Sequence, residues 1–528
     1  MNSRVFHRSA LLAACAGLTA CTVGPDFDKP APWYAPSGWF GARRPIAPVA
    51  AGPSLPVAEP VDPGWWSGFH DPILTRLVER VAGANLDVRV QTIRLAESRA
   101  SLGIARADAV PKLNGNGSST REQQSRRGVI GLLGGGAGGG SPGTASNGLG
   151  GTQGGLPNTS LNAPFDLYQY GFDASWELDL WGRVRRNVES ARAQLQVSEE
   201  ERRQTLVTAL AEVARDYVQL RGAQANLAVV QKNLQTERDS LRLTQERARA
   251  GLNTELDVAN AMAQVAATEA QVPDVTAQTA TLVNAIALLL GLPPDALDGE
   301  LAAAEPIPPV PPAVPVGLPG DLTRRRPDIR QAEAQLHAAT ATVGVAVADF
   351  FPKVTLSGSV AIQATQFKYL GSLGADTYSI GPSITLPIFQ GGRLTRTLEL
   401  RRAQEQEAAI GYQRAVLGAL HDVNNALTTY ASEQLRQEAL ARSVAQNQRA
   451  VGLAGDQYRA GIVTFLDVLN TERALLASQQ QQLASQTSIS TGLVALYKAL
   501  GGGWEPSYPD NATPEPTGPV IPAAVVTP

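Results

Sequence analysis

A segment that occurs twice constrains this chain more than anything else in it. Arg249-Ala250-Gly251-Leu252-Asn253-Thr254-Glu255-Leu256-Asp257-Val258 returns 210 residues later as Arg459-Ala460-Gly461-Ile462-Val463-Thr464-Phe465-Leu466-Asp467-Val468. The same offset pairs Trp181-Gly182-Arg183 with Gly391-Gly392-Arg393, and Leu290-Gly291 with Leu500-Gly501. One offset held over that length means two halves of one architecture. Upstream, Pro111-Lys112-Leu113 matches Pro352-Lys353-Val354 at an offset of 241, so the first half carries 31 extra residues (241 less 210). They coincide with a Gly-rich, low-complexity tract at about 128–160, which reads as a flexible loop at one hairpin tip.

Each half pairs strands with a very long helix. Tyr168, Tyr170, Phe172, Ala174, Trp176, Leu178 and Leu180 alternate with polar or small residues. So do Val354, Leu356, Gly358, Val360 and Ile362, and again Tyr378, Ile380, Pro382, Ile384, Leu386 and Ile388. A fourth strand, after Pro111, is weaker and rests on its repeat partner. Alternating segments of about ten residues suit a membrane barrel with a wet lumen. Four strands cannot close a barrel and an open edge is not tolerated in lipid, so several chains must contribute; three, giving twelve strands, is the simplest closure. From Arg183 to Arg249 there is no proline, and 67 residues of helix run to about 100 Å. Leu206, Val213, Leu220, Leu227, Leu234 and Leu241 fall seven apart, which predicts a coiled-coil seam. Gln224, Gln231 and Arg238 take the second apolar position, so the seam is narrow and wet. A return helix follows from Glu255 to Leu290, with a kink at Pro273.

The first 20 residues read as a signal peptide: Arg4, His7 and Arg8 precede a short apolar run that ends Leu18-Thr19-Ala20-Cys21, a lipobox pattern in which Cys21 is diacylated. The remaining boundaries are a lipid-anchored segment 21–70, a first repeat 71–300 with its long helical hairpin 183–290, and a Pro-rich linker 301–320. A second repeat follows at 321–503, with β-hairpin 354–388 and helical hairpin 393–500, then a Pro-rich tail 504–528. Charged residues make up 18% with a net charge of −3, a balance that points away from nucleic acid. The only cysteines are Cys15 and Cys21, so the body has no disulfide framework or thiolate metal site. His337 and His421 stand without a nucleophile at a telling spacing and read as solvated or seam residues, and no catalytic, metal or cofactor motif is present. Arg324-Arg325-Arg326 reads as a polar start to a helix opening at Pro327.

Several of these segments carry a family resemblance. They are Cys21-Thr22-Val23-Gly24-Pro25-Asp26-Phe27; Trp65-Trp66 through Phe69, Asp71-Pro72 and Leu74; Asn85-Leu86-Asp87; and Trp176-Glu177-Leu178-Asp179-Leu180-Trp181-Gly182-Arg183. Arg324 to Arg330, Ala348 to Lys353, and Leu386-Pro387-Ile388-Phe389 with Gly391-Gly392-Arg393 complete the set. In this order they resemble the TolC/OprM-like outer-membrane factors, most closely their NodT-type lipoprotein branch. The resemblance implies a homotrimer with a twelve-stranded outer-membrane β-barrel, a twelve-helix coiled-coil periplasmic barrel and an equatorial belt. It also implies efflux of small molecules such as drugs, with a periplasmic adaptor and an inner-membrane pump of the resistance-nodulation-division type as partners. Adaptor docking is expected at the hairpin tips Ala250, Gly251, Leu252, Asn253 and Thr254, and Ala460, Gly461, Ile462, Val463 and Thr464.

Family gates use aspartates just past the turn glycine, a place taken here by Asp257 and Asp467. A second family aspartate is replaced by Asn470, with Asn260 at the repeat position, which speaks against a double-aspartate cation ring. Arg473, one turn on, is the expected partner of the ring. The same aspartates also suit a helix start, where a carboxylate meets the positive end of the dipole. Two other functions remain open. One is a channel for secreted proteins or metal cations; the poverty in Met, with two residues, speaks against metal. The other is a coiled-coil lipoprotein spacer with no pore, for which alternating strands would be superfluous.

Overall fold

The structure, a computed structural model, describes residues 22–30, 39, 54–123, 164–372 and 374–510. Cys21, the signal segment, the Gly-rich tract and residues beyond Asp510 lie outside them. The chain forms two compact units. One comprises Gly103–Glu189 and Ala341–Arg401 with the residues up to Asp26; the other comprises Phe27–Leu102, Ser190–Thr340 and Arg402 onward. The principal elements are β1 (Leu55–Val57), α1 (Pro72–Ala84), α2 (Leu86–Ala107), β2 (Lys112–Glu122), β3 (Phe165–Leu178), α3 (Arg183–Arg249), α4 (Glu255–Glu269) and α5 (Gln271–Leu289). Then follow β4 (Ala313–Pro315), α6 (Pro327–Ala348), β5 (Lys353–Ala364), β6 (Asp376–Thr385), α7 (Arg393–Arg459) and α8 (Phe465–Leu500).

The first unit is built on an antiparallel sheet in the order β2-β3-β5-β6. Its strands are shorter than the alternation suggested. β3 stops at Leu178 and β6 at Thr385, ahead of Pro387, which has no N–H to give a ladder. Past β3 each residue of the Trp176–Arg183 motif has a task in turning strand into helix. Glu177 receives both arms of the Arg183 guanidinium at 2.8 and 2.6 Å. The Asp179 carboxylate accepts from Val184 N and Arg185 N, two of the orphan donors at the start of α3. Gly182 sits at φ +86°, and Trp181 stacks on Phe351 and donates to Pro352 O. The segment after Cys21 is clipped to this corner: Val23 N donates to Trp181 O, and Asp26 meets the buried Arg186 at 2.5 Å. Gly24, at φ +94°, passes so close to Gly344 that a Cβ would stand 2.6 Å from its Cα.

In the second unit Leu206, Val213 and Leu220 are fully buried, as the seven-residue spacing requires, in one core with Trp65, Phe69 and Leu74. Trp65 stacks on Tyr497 at 5.1 Å. Gln231 and Arg238 are exposed, but Gln224 departs from the expected wet position. It is buried, accepts from Arg221 and donates to Leu301 O. Arg221 also donates to Ala303 O, so this pair pins the start of the Pro-rich linker to α3. The linker then adds β4 in parallel to β1, a pairing no local pattern announced. The return helix of the first half breaks at Ala270, between α4 and α5. Pro273 is the cause, since it cannot donate to Glu269 O one turn back. Its repeat partner is Leu483, and α8 runs unbroken.

The triple arginine is more than a polar start. Arg326 is buried and donates to Ala499 O, Asp328 and Asp422, while Arg325 reaches Val61 O and Glu505. The expected tail begins inside the core. Trp504 is buried beneath the Arg203 guanidinium, and Asp510 joins Arg330 and Arg203 at 2.8 and 3.0 Å. His337 stacks on Phe27 and His421 is exposed.

The sheet gives a direct test. A Cβ on Gly171 would lie 2.3 Å from Val360 O and 2.5 Å from Ala361 Cα, both backbone atoms of the neighbouring strand. Gly171→Ala should force β3 from β5 at a cost of about 1–3 kcal/mol, the usual range for overpacking. The same change at Gly117, which has open space, should cost far less, and comparing the denaturation of the two folded proteins checks the difference.

Candidate functional site

Two surfaces stand out, one on each unit. On the sheet, register converts alternation along each strand into faces. Phe172, Val360 and Tyr378 align across three strands, with Leu113, Ala174, Gly358 and Ile380 in the next such row and Leu178, Val354 and Ile384 in another. The opposite face carries Asn114, Asp173, Ser359 and Ser379 in one row, and Ser118, Gln169 and Gln363 in another. The apolar rows are open: Tyr378 and Ile380 are each 78% exposed and Phe172 61%. Among the described residues no further strand lies beside β2 or β6, and a contiguous apolar face on such a sheet is the kind of surface that another molecule covers. Edge strand β6 tolerates Pro382 for the same reason, since an outer strand can spare a donor. Among the described residues no helix is long and apolar enough to cross a membrane.

The second surface is the pair of hairpin ends, where α3 turns into α4 and α7 into α8. Gly251 and Gly461 sit at φ +73° and +75°, the left-handed positions that end α3 and α7. Leu252 N closes back on Arg247 O and Ile462 N on Gln457 O, which leaves Leu252 (68%) and Ile462 (73%) facing outward. The expected docking residues Ala250–Thr254 and Ala460–Thr464 are thus two exposed, apolar-tipped turns.

The four expected gate residues divide. Asp257 and Asp467 each complete a capping box: Asp257 accepts from Thr254 N and Oγ1 at 3.0 and 2.8 Å, and Asp467 from Thr464 N and Oγ1 at 3.0 and 2.7 Å. These bonds, the Thr464 hydroxyl first, hold the Asp467 carboxyl below its ordinary range. Asn470 is exposed on α8. Arg473 does not pair with Asp467, because it reaches across to the other hairpin and donates to Gln264 Oε1 at 2.6 Å.

The contact between the two hairpin ends centres on residues that sequence reasoning passed over. Tyr458 is buried, packs against Phe465 at 5.9 Å and lies beneath the Arg247 guanidinium at 4.7 Å. Its hydroxyl takes a short hydrogen bond from Asn253 and lies 3.4 Å from Thr244 Oγ1. With Ala261, Ala454, Val468 and Leu469 these rings form a small core separate from the main one. A signal was available: the repeat fails here. Tyr458 stands where the first half has Ala248, Phe465 where it has Glu255, and Arg473 where it has Ala263.

Known proteins agree with this architecture. The sequence pattern of the outer membrane efflux protein family matches residues 77–292 and 318–502. The solvent efflux pump outer membrane protein SrpC of Pseudomonas putida is 31% identical over 513 residues, covering 95% of this chain and 99% of its own. Outer membrane protein OprJ of Pseudomonas aeruginosa is 32% identical over 508 residues, 96% of this chain and 97% of its own. Among solved structures, the outer-membrane channel OprN superposes with a TM-score of 0.80 at 34% identity, over 92% of this chain and all of the other. VceC of Vibrio cholerae gives 0.73 at 28% identity, over 84% of this chain and all of the other.

The capping box has a pH signature. Because the folded Asp467 carboxyl is held low, its contribution is present above the ordinary aspartate range and is lost as pH falls through the depressed value. Amide protection at the start of α8, taken against the intrinsic exchange rate at each pH, should therefore fall on acidification. Asp467→Asn should remove that pH dependence, and Thr464→Ala should move it to higher pH; exchange measured by mass spectrometry decides.

Proposed function

The chain belongs to the outer membrane efflux protein family, and from that premise we propose how its two surfaces act. Three copies close their sheets into a twelve-stranded barrel in the outer membrane, apolar rows toward lipid and polar rows toward the lumen. Their helical hairpins form the periplasmic tube. The observation that carries this reading is the open apolar sheet face with bare edges at β2 and β6. A spacer without a pore would have no use for it. Cys21, next to the clipped Thr22–Asp26 segment, carries lipid and adds a second hold on the membrane.

The channel is passive. Solutes are small molecules of the kind named for its relatives, which include solvent, toluene and antibiotic efflux pump components. A periplasmic adaptor docks on the two apolar turns, and an inner-membrane pump of the resistance-nodulation-division type supplies energy and selects the substrate. The hairpin ends form the gate. Three copies of Asp257 and Asp467 make rings of like charge near the tip, and Asn470 in place of a second acid keeps divalent block modest. Arg473 acts through Gln264, holding the second hairpin of a chain to its first. An adaptor seated on the turns would open the tube by parting that link and the Tyr458 cluster.

Two measurements test this. A cysteine at Ser118 on β2, scanned against cysteines along Asp376–Thr385 on β6, should yield a covalent trimer on oxidation; a pattern that stops at dimer would break the barrel reading. Arg473→Ala should raise conductance in planar bilayers and leakage of bulky antibiotics. Unchanged values in both would remove Arg473 from the gate.

A further inference from the structure

The two hairpins of one chain are joined by polar layers spaced seven residues apart. Between α3 and α8, Asn233 donates to Gln479 at 2.8 Å and Ser240 to Glu472 at 2.7 Å, an antiparallel ladder. Between the return helices, Arg473 donates to Gln264 at 2.6 Å and Gln480 to Gln271 at 3.1 Å, a parallel one. Two carboxyl groups sit where the ladders meet. Glu472 is 6% exposed and Glu237 4%. Glu237 lies one turn before Ser240 on α3, on the same face, so the Ser240–Glu472 bond places Glu472 beside it. Gln264 Nε2 donates to Glu237 Oε1 at 2.9 Å, and Glu237 Oε2 is buried with no partner.

Neither carboxylate of this pair has an ion-pair partner among the described residues. Arg473, next to Glu472 in sequence, directs its Nε–H to the neutral Gln264 and makes no ion pair with either. On α3 and α4, Arg238 pairs with Glu269 and Arg242 with Asp239; on α7, Arg442 pairs with Glu438 and Arg459 with Asp456. Two buried carboxylates without a cation are costly, because each has lost its hydration. The repeat makes them a particular feature of this contact, since Glu237 corresponds to Asn447 and Glu472 to Met262. Among the described residues no group of three or more His, Cys, Asp or Glu side chains is placed to hold a metal ion.

We infer that Glu237 and Glu472 form a proton-binding site that fastens the two hairpins of a chain together. A proton on Glu472 turns its carboxyl into a donor, and Glu237 Oε2 is the acceptor left waiting. Burial, then the neighbouring Glu237 charge, push the Glu472 carboxyl above its ordinary range, against the Ser240 hydrogen bond. The sign follows: the fastening is complete below the ordinary glutamate range and is lost as pH rises through the raised value. Loss of the proton leaves two like charges between α3 and α8, which loosens the hairpins. As a pH control on opening, the site rests on the gate reading above; as a proton site it does not.

The full-length trimer in detergent provides the test. Infrared difference spectra between acidic and basic pH should contain a buried carboxylic-acid carbonyl band, lost in Glu472→Gln. Amide protection around 465–476, taken against the intrinsic exchange rate at each pH, should fall by up to about tenfold per pH unit between the ordinary and the raised value and level off above it. Glutamine can donate where the protonated acid did, so Glu472→Gln should keep low-pH protection at every pH. Glu237→Gln, which should also flatten the profile, serves if that variant does not fold. A wild type without the band, or identical exchange profiles in all three proteins, overturns the site. So does a transition displaced by millimolar Mg²⁺ or Ca²⁺, which would assign it to a metal ion. If band and exchange behave as expected while bilayer conductance ignores pH, the proton site stands and the gate reading falls.

Discussion

Backbone groups along the outer sides of β2 and β6 find no partner within the described chain, and in hydrocarbon each would cost several kcal/mol. That single requirement reaches through the molecule. On the proposed barrel reading, it makes the four-stranded sheet a fragment that other copies complete. It also gives the strand-to-helix corner its importance, since a barrel wall needs every chain to leave the sheet at a fixed angle. Glu177, Asp179, Trp181, Gly182 and Arg183 lock that corner with an ion pair, a helix cap, a stacked ring and a left-handed glycine. The clipped segment after Cys21 ends at the same corner, so a lipid on that cysteine would be delivered to it.

Duplication explains the economy of the architecture and also its failures of symmetry. Both halves end α3 or α7 with a glycine and start the next helix with a Thr–Asp capping box, because a sharp helical reversal imposes those residues in either half. Where the halves touch each other they cannot stay alike. Tyr458 and Arg473, in place of Ala248 and Ala263, bond across the hairpins, and Phe465, in place of Glu255, packs against Tyr458 in the same small core. One half supplies rings and a cation, the other the surfaces that receive them.

The helical seam changes character along its length. Around Leu206, Val213 and Leu220 it is dry and merges with the aromatic core under Trp65 and Trp504. Between that core and the small apolar cluster around Tyr458 it is polar, with Asn233, Glu237, Ser240 and Gln264 in the layers. Apolar packing resists separation whatever the conditions, whereas hydrogen-bonded layers can be broken and remade, and buried carboxyls tie them to protonation. On the proposed gate reading, the part of the molecule that moves includes the contacts most easily exchanged.

Periodicity alone determined much of this protein. A two-residue period marked the strands and a seven-residue period the seam; freedom from proline set the span of α3, and the repeat set α7 in register with it. These are properties of single elements, governed by local sterics and by which face is apolar, so they can be read from neighbours in the chain. Which polar residues become buried was another matter. Gln224 looked wet and is buried, Arg326 looked like a helix start and is a core anchor, and Trp504 looked like tail. Arg473 was matched with the aspartate ring but reaches Gln264, 209 residues away. Tyr458, Glu237 and Glu472 drew no notice, because a buried hydroxyl or carboxyl acquires its meaning from whatever packs against it. That is decided only when helices distant in sequence are brought side by side.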